Sequence, residues 1–337
     1  MHRRVVKGAE GAHSPARTAA YFLCLIALLF SCTQAWTQGV PAEIAAQLRA
    51  SGPVLNVPQA LKLYVPLQAA APKEGVKRTN DIAYGPAERH CLDVYEPAAR
   101  PAVPAPVLIF IHGGAFVAGN KSTPGSPFYD NIGYYFARNG VVTINATYRL
   151  APKDRWPAGA NDIGAVVKWT QENAGRFGGD SRRIFLMGHS AGAAHAAAYA
   201  FMKGSQPKEG TGLSGVILVS GVYDPTLEEK MPAALLGGVP GNPNLAYYGP
   251  DTRLYPGRSI LMNLAGPPVR TMVVYAELDM LMMQIEAGAL FTALCRRDGR
   301  CPDLLWLRDH DHMSEVFSVN TPDESLGRPA LDFIRGR

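Results

Sequence analysis

The 337-residue sequence is poor in charge and has no cluster of positive residues. Only 18% of its residues are charged, and its formal net charge is +5. Nucleic-acid-binding domains normally concentrate lysine and arginine on one face, whereas this sequence has no long run of either. With 47% hydrophobic residues, a chain of this length can bury a large core. The composition excludes a disordered chain and argues against nucleic acid as a partner.

The sequence also lacks an apolar run long enough for a typical membrane-spanning helix. The run at residues 19–30 (AAYFLCLIALLF) has 12 residues, whereas a span needs about 20. Four basic residues precede this run and small residues follow it near Ala35. That order is typical of a secretory signal peptide. We therefore predict that residues 1–35 are an export signal and that the protein is periplasmic or secreted, with no stable membrane span.

Two alternatives to a cleaved signal remain open. Residues 29–32 (Leu-Phe-Ser-Cys) resemble a bacterial lipoprotein box, which would place a lipid anchor on Cys32, although the bulky Phe30 departs from the usual pattern. The other alternative is an uncleaved N-terminal anchor.

Cysteine is scarce, with five in the whole sequence, two of which lie in the predicted signal. Cys295 and Cys301 flank the pair Asp298-Gly299, which favours a tight turn, so their thiols could meet in a disulfide as the chain reverses. An oxidising compartment would permit this bond. The alternative is two free thiols. We interpret Cys91, the remaining cysteine, as a small buried hydrophobe within a strand.

From Cys91 onward, apolar runs alternate with segments of helical periodicity. The runs at residues 107–112, 184–187, 213–219 and 269–275 are almost continuously apolar. Such runs are typical of parallel strands covered on both faces. The alternation predicts an α/β fold with a mostly parallel central sheet and helices on both faces.

Two segments fall outside this alternation. Residues 36–80 form an N-terminal extension, with a short amphipathic helix at residues 42–50 and a Pro- and Ala-rich stretch, and are a candidate cap. Residues 224–268 contain eight Pro and six Gly and are too long for an ordinary connection. Because ligands of such folds bind at the carboxyl edge of the sheet, we interpret this segment as an insertion that covers that edge. The alternative is an irregular surface loop.

Residues 188–192 read Gly-His-Ser-Ala-Gly and match the pattern G-x-S-x-G. An apolar strand precedes the motif and an Ala-rich helix follows it, which is the context of a nucleophile elbow. The glycines allow the strand to turn sharply into the helix, so that the serine hydroxyl is held out above the sheet. The pattern and its context make Ser190 the candidate nucleophile.

A second glycine motif, His112-Gly113-Gly114, ends the apolar run at residues 107–112. Acyl transfer needs N–H donors aimed at the oxyanion that develops on the substrate. Because two glycines let the backbone approach a substrate closely, we assign the amides of Gly113 and Gly114 to an oxyanion hole, together with the amide of Ala191 behind the nucleophile.

The motifs HGGAF, NATYRLAPKDRWPAGANDI and GHSAGAAH occur in this order from residue 112. As an ordered set they resemble the hormone-sensitive-lipase and carboxylesterase branch of the α/β-hydrolase fold. The resemblance covers about residues 81–337 and implies that they form one catalytic domain of that fold. The form GHSAGAAH departs from the GDSAGG common in this branch and is more similar to feruloyl esterase-like and kynurenine formamidase-like members.

In this family the acid and the base follow the nucleophile along the chain, which implies Asp279 and His312. Glu277 competes with Asp279, and His310 competes with His312. The implied chemistry has His312 take the proton of Ser190 while Asp279 holds the imidazole tautomer and stabilises its cation.

No cofactor and no metal are expected. Residues 309–312 (Asp-His-Asp-His) could be read as a metal cluster, but no third ligand group of suitable spacing accompanies them. Residues beside the catalytic positions are candidates for an apolar substrate pocket, with ordinary core packing as the alternative: Phe116, His189, Tyr223, Met280 and Met313.

The resemblance implies a serine carboxylesterase that acts on small or medium acyl or aryl esters through an acyl-enzyme. Alternatives are an arylformamidase, a lipase whose insertion is a lid, and a non-catalytic binding protein. Binding proteins on this fold, such as gibberellin receptors and neuroligins, typically lose a triad residue, whereas all three positions are filled here. The expected partner is a small-molecule ester, and no pattern indicates an oligomeric state.

Overall fold

A computed structural model describes residues 39–230 and 242–337 of the chain. The predicted export signal, with Cys32, and the middle of the predicted insertion lie outside the described residues. Within these two ranges, no helix is both long enough and apolar enough to cross a membrane.

Eight strands form one sheet in the described residues: β1 (Val76–Ala83), β2 (Cys91–Pro97), β3 (Ala105–Ile111), β4 (Val142–Ala146), β5 (Gly179–His189), β6 (Gly215–Val219), β7 (Thr271–Leu278) and β8 (Asp303–Asp311). Their order across the sheet is β1-β2-β4-β3-β5-β6-β7-β8. The pairs β1·β2 and β2·β4 are antiparallel, and all the others are parallel. The predicted mostly parallel sheet is confirmed.

Eleven α-helices accompany the sheet in the same residues: α1 (Ala42–Ser51), α2 (Val57–Ala69), α3 (Asp130–Arg138), α4 (Ala158–Asn173), α5 (Ala191–Phe201), α6 (Pro225–Glu229), α7 (Pro243–Tyr248), α8 (Tyr255–Arg258), α9 (Leu281–Asp298), α10 (Ser314–Phe317) and α11 (Gly327–Arg335). Short 3₁₀ helices lie at Ala174–Phe177, Lys203–Ser205 and Thr252–Leu254.

The central strands are apolar on both sides because each side faces a layer of helices. Along β3, Val107, Ile109 and Ile111 pack into one core with α4, α5 and α9. Leu108 and Phe110 point the other way, into a second core with α1, α2, α3 and α11. Successive side chains of a strand alternate between faces, so a continuous apolar run fills both cores.

Two helices differ from the expectations. The Pro-rich stretch after residue 52 contains α2, whose first turn is capped by Asn56, since its side chain accepts from the backbone N–H of Gln59. Proline is tolerated in a first helical turn, and the buried Tyr64 fixes the helix against the second core despite Pro66 in its interior. Helix α9 is the second helix that the sequence analysis does not predict.

The three cysteines of the described residues fall in two places. Helix α9 ends where Gly299 adopts a left-handed conformation, and a disulfide joins Cys295 to Cys301. Cys91 begins β2 as a free thiol and is half-buried rather than buried, because it lies at the end of the strand, with its Sγ 3.6 Å from Asp81 Oδ1.

Candidate active site

Ser190 lies on a tight turn between β5 and α5. Its backbone has a φ of 56° and a ψ of −125°, and its N–H donates to the carbonyl of Val219 over 2.9 Å. A Cβ on Gly188 would lie 2.3 Å from the carbonyl oxygen of Gly192, and a Cβ on Gly192 would lie 2.3 Å from that of Ile111. Backbones cross too closely there for any side chain, so both glycines of the motif are sterically required.

The parallel strands bring the other predicted residues to the same edge of the sheet. Asp279 follows β7, His312 follows β8, and Gly113 follows β3. His312 Nδ1 lies 2.9 Å from Asp279 Oδ1, and both side chains are almost fully buried. The Asp279 carboxylate is therefore in position to hold the proton on Nδ1, which leaves Nε2 as the nitrogen able to accept one.

The competing acid and base have other partners. Glu277 accepts a 2.8 Å hydrogen bond from the backbone N–H of Asp309. His310 lies 3.1 Å from Ser314 Oγ and 3.2 Å from Asp323 Oδ2. In the described residues neither side chain forms a hydrogen bond or an ion pair with Asp279 or His312, so the geometry favours Asp279 and His312 over their rivals.

The sequence Asp-His-Asp-His at residues 309–312 does not converge on one point. Asp309 pairs with Arg49, while His312 faces Asp279. Within the described part of the chain, His189, His312 and Glu315 offer ligand atoms that lie within 4.8 Å of one another. However, His189 Nε2 donates to the backbone carbonyl of His312 over 2.9 Å, so a proton rather than a lone pair occupies that nitrogen. We interpret this group as a hydrogen-bond network.

A cavity of about 750 Å³ opens beside Ser190. The nucleophile, the His312 imidazole and the predicted oxyanion-hole residues Gly113, Gly114 and Ala191 all line it. Ala191 is the first residue of α5, where a backbone N–H has no acceptor within the helix. The structure thus places the predicted nucleophile, base and oxyanion donors around one space.

The loop after β3 owes its path to unusual backbone conformations. Gly114 has a φ of +133°, and a Cβ there would lie 2.1 Å from the carbonyl oxygen of Ala118. Ala115 and Phe116 also have positive φ values, 51° and 66°. Hydrogen bonds from Tyr148 Oη to the His112 carbonyl (3.1 Å) and from the N–H of Ala151 to the Phe116 carbonyl (3.0 Å) stabilise the loop. Such strain persists only where surrounding contacts fix it.

Four of the five predicted pocket residues line the cavity: Phe116, His189, Met280 and Met313. Tyr223 does not, and its prediction as a pocket residue is wrong. It is fully buried in the core between the sheet and α9, and its backbone N–H donates to Glu286 Oε2 over 3.0 Å. The neighbouring Val222 lines the cavity instead. Side chains in an irregular segment after a strand have no fixed alternation that a sequence pattern could reveal.

Further apolar side chains enter the cavity from the two segments outside the α/β alternation. Leu55, Val57 and Leu61 come from the N-terminal extension, and Leu245 and Tyr255 come from the insertion. Two methionines and two phenylalanines add further apolar surface: Met282, Met283, Phe128 and Phe317. The described lining contains no lysine or arginine and one carboxylate, that of Glu229, and its exposed surface is mostly apolar, so the cavity is suited to a largely apolar ligand.

Burial disfavours the charged form of three histidines, one of which, His189, lines the cavity. Burial, together with the neighbouring imidazole of His312, lowers the pKa of His189 well below its usual value. Burial also lowers the pKa of His112 and that of His195 to about 3. These residues therefore supply shape and hydrogen bonds rather than charge.

A protein family described as alpha/beta hydrolase fold matches residues 108–294, more than half of the chain. The chain belongs to this alpha/beta hydrolase family. The matched segment includes the Gly113–Gly114 loop, Ser190 and Asp279.

Among curated relatives of the chain, esterase LipC of Mycobacterium tuberculosis is 34% identical over 151 residues, 42% of this chain and 36% of that protein. Esterase LipQ of the same organism is 27% identical over 226 residues, 64% of this chain and 52% of that protein. The chain thus spans about half or less of the length of these relatives. Esterase B of Lactobacillus rhamnosis has a similar structure, with a TM-score of 0.66 and 21% identity over 87% of this chain and 94% of that chain. This last likeness concerns the fold.

Sequence reasoning missed two polar residues of the candidate site, Ser220 and Glu315. Ser220, directly after β6, contacts Asp279 Oδ2 through its hydroxyl and lies 2.9 Å from Glu315 Oε2. Burial, followed by the charge of Asp279, raises the pKa of Glu315 well above its usual value. The one sequence feature that could have pointed to either residue is the position of Glu315, three residues after His312.

Proposed function

We propose that this α/β hydrolase is a serine carboxylesterase that cleaves small to medium, uncharged acyl or aryl esters. The observation that carries the proposal is the convergence of Ser190, the His312–Asp279 pair and the Gly113–Gly114 loop on one apolar cavity. The esterase names of relatives that match part of the chain agree with it.

In the proposed reaction, Ser190 Oγ attacks the ester carbonyl carbon while His312 Nε2 removes the hydroxyl proton. The carbonyl oxygen becomes an oxyanion that accepts hydrogen bonds from the backbone amides of Gly113, Gly114 and Ala191. The intermediate collapses as His312 delivers its proton to the leaving alcohol, and an acyl-enzyme remains. A water molecule, deprotonated by His312, then attacks the acyl-enzyme, and the carboxylic acid is released as His312 returns the proton to Ser190 Oγ. Throughout, Asp279 stabilises the imidazolium without being protonated.

The test is a panel of p-nitrophenyl esters from acetate to long chains, with an aryl formamide included. We expect hydrolysis of the shorter esters and a loss of at least about 10³-fold in kcat for Ser190→Ala, because no other nucleophile takes its place. Ser126→Ala, which removes a different hydroxyl from the cavity lining, is the matched control. Equal rates for wild type and Ser190→Ala would refute the mechanism. Failure of Ser190 to react with a fluorophosphonate would favour a binding protein on this fold.

We also propose that residues 36–80 and the insertion at residues 224–268 form a cap on the catalytic domain, residues 81–337. Support comes from Leu55 and Val57 of the first segment and from Leu245 and Tyr255 of the second, which line the cavity. If this cap is an interfacial lid, the rate on a long-chain ester should rise as the substrate passes its solubility limit. A rate that only saturates there would mean that the cap shapes the pocket without opening at an interface.

We further propose that residues 1–35 direct export. The support is the order of basic, apolar and small residues. Expression of the full chain in a bacterial host, followed by cell fractionation and mass spectrometry, tests it. A mature protein that begins near residue 36 in the periplasm or medium is expected, a lipid-modified Cys32 would show the lipoprotein alternative, and a cytoplasmic chain that still begins at Met1 would contradict export.

A further inference from the structure

A buried carboxyl lies behind the Asp279–His312 pair. Glu315 is on α10, three residues after His312, and is fully buried. Its Oε2 lies 2.9 Å from Ser220 Oγ, and the same hydroxyl contacts Asp279 Oδ2. With Asp279 Oδ1 facing His312 Nδ1, the four side chains form one continuous chain, in the order Glu315, Ser220, Asp279 and His312.

The number of protons in this chain determines the state of Glu315. The Ser220 hydroxyl carries one proton and can donate to only one carboxyl at a time. Both contacts of its oxygen are hydrogen bonds only if one of the two carboxyls is protonated and donates to Ser220 Oγ. Asp279 already accepts from the imidazole N–H of His312 at 2.9 Å. The extra proton therefore belongs on Glu315 Oε2.

The surroundings of Glu315 agree with a neutral side chain. Within the described residues, no lysine or arginine forms an ion pair with it. His189 Nε2 lies 3.2 Å from its Oε1, but burial lowers the pKa of this histidine and so disfavours its charged form. Burial and the charge of Asp279 both raise the Glu315 pKa. The titratable groups that face it from all packed elements are Asp279, His189, Tyr129, Tyr223 and, from its own segment, Asp311 and His312.

We propose that Glu315 is a positioning residue for the proposed hydrolysis: in its protonated form it donates to Ser220 and thereby directs the Ser220 hydroxyl onto Asp279. Asp279 is then held by hydrogen bonds on both of its oxygens, from Ser220 on one side and from His312 on the other. A carboxylate fixed in this way keeps the His312 ring in the orientation and tautomer that the reaction needs. This inference rests on the proposed function for its effect on rate, but not for the hydrogen-bond chain itself.

The test compares Glu315→Gln with Glu315→Ala. Glutamine presents an N–H where the protonated carboxyl presents an O–H, so it should restore the link to Ser220, whereas alanine removes it. We expect kcat/KM to fall at least about tenfold in Glu315→Ala, which corresponds to a loss of about 1.4 kcal/mol of transition-state stabilisation. In Glu315→Gln, kcat/KM should recover most of its wild-type value. The acid limb of the kcat/KM profile should stay at the same pH in Glu315→Gln, because no charge is lost.

An ionised Glu315 would give a different result. Removing a negative charge about 4.0 Å from His312 Nδ1 would lower the pKa of the imidazole and move the acid limb by about one pH unit or more. That shift, or a Glu315→Gln variant as impaired as Glu315→Ala, would overturn the proposal. Ser318→Ala, which removes a buried hydroxyl from the following turn, is the control for general loosening.

Two measurements do not depend on turnover and separate this inference from the proposed function. Infrared difference spectra of wild type and Glu315→Gln at neutral pH should contain the C=O band of one protonated carboxyl in the wild type only. The proton resonance of His312 Nδ1–H should be unchanged in Glu315→Gln and displaced in Glu315→Ala. If Glu315→Ala does not fold, Ser220→Ala breaks the same link and should displace the resonance. If the carboxyl band is absent, or if the resonance is not displaced in the variant that folds, the inference is refuted even when the protein hydrolyses esters. If both signals are present but the protein has no esterase activity, only the proposed function is refuted.

Discussion

Two carboxylates that are two positions apart, Glu277 and Asp279, have different roles because Glu277 lies in a strand and Asp279 lies in the loop after it. Glu277 is the penultimate residue of β7 and bonds to the backbone of Asp309, whereas Asp279 lies beyond the strand and faces His312. Neither composition nor spacing separates these carboxylates. The resemblance to a family favours Asp279, and the end of β7 supplies the physical reason.

The first prediction uses this pair. Asp279→Asn should reduce kcat by about 10⁴-fold, because an amide no longer stabilises the imidazolium and favours the wrong tautomer of His312. Glu277→Gln keeps an oxygen that can accept from the Asp309 N–H and should leave kcat close to that of the wild type. Steady-state kinetics on a p-nitrophenyl ester measures both. A larger loss in Glu277→Gln than in Asp279→Asn would reverse the assignment.

The second prediction concerns Gly114. In Gly114→Ala, the new methyl group meets the Ala118 carbonyl, so the loop must move and its amides leave their positions. Loss of an oxyanion donor should lower kcat by about 10²-fold. Gly125→Ala is the control, since Gly125 also has a positive φ, of +76°, but a Cβ there has no atom within 4 Å. That control should lose about 1 kcal/mol of stability, the cost of a side chain in the left-handed region, at unchanged kcat. Equal effects of the two substitutions on kcat would show that the collision is unimportant.

Among the secondary structure elements, α2 has the least sequence signal and an unexpected role. Gln68 near its end is buried, and its Nε2 donates to the carbonyls of Phe317 (2.8 Å) and Val319 (2.7 Å), which follow the His312 loop. Asn131 of α3 donates to the carbonyls of Val316 (2.8 Å) and Val319 (3.0 Å). Two helices from distant parts of the chain therefore fix the segment that carries His312 and Glu315.

The third prediction follows from these contacts. Gln68→Ala should lower the free energy of unfolding by about 2 kcal/mol, because two buried carbonyls lose their donor, and should also lower kcat as the His312 segment loosens. Lys62→Ala, on the exposed side of the same helix, should change neither quantity appreciably. Urea unfolding and ester kinetics on the three proteins provide the comparison. If Gln68→Ala is less stable than the wild type but keeps the full kcat, the predicted effect of Gln68 on the active site is wrong.

The sequence predicts the alternating order of strands and helices, but it does not reveal every strand and helix. Strands that become β3, β5, β6 and β7 are apolar on both faces, so their runs are visible in the sequence. Helix α2 was missed because two prolines obscure its periodicity, and β1 because its residues are mostly half-buried or exposed at the edge of the sheet. Weak local preference in both is overridden by packing against the rest of the molecule.

For the whole molecule, burial of neutral imidazoles makes stability depend on pH. The pKa of His112 and that of His195 are lowered by burial from 6.5 to about 3 in the folded protein. The unfolded chain therefore binds more protons than the folded one between these pH values. Their contribution to stability is complete above pH 6.5 and is lost progressively as the pH falls toward 3.

The fourth prediction is the size and origin of this dependence. The free energy of unfolding should fall on acidification below about pH 6, with each of the two histidines contributing up to about 1.4 kcal/mol per pH unit. His195→Gln should remove the contribution of one histidine and flatten the curve between pH 7 and pH 5. Urea unfolding at several pH values tests this. Parallel curves for the variant and the wild type would show that His195 is not responsible.

By itself, the sequence determined the α/β class of the fold, the nucleophile elbow and the glycine loop, because each depends on a local pattern: apolar periodicity, or glycines where the backbone turns. Only the tertiary structure decided that His312 faces Asp279 rather than Glu277, that Tyr223 belongs to the core, and that Ser220 and Glu315 lie behind the acid. These relations join residues from different strand ends. Strands β6, β7 and β8 become neighbours only when the sheet forms, and no local pattern records which side chains then meet.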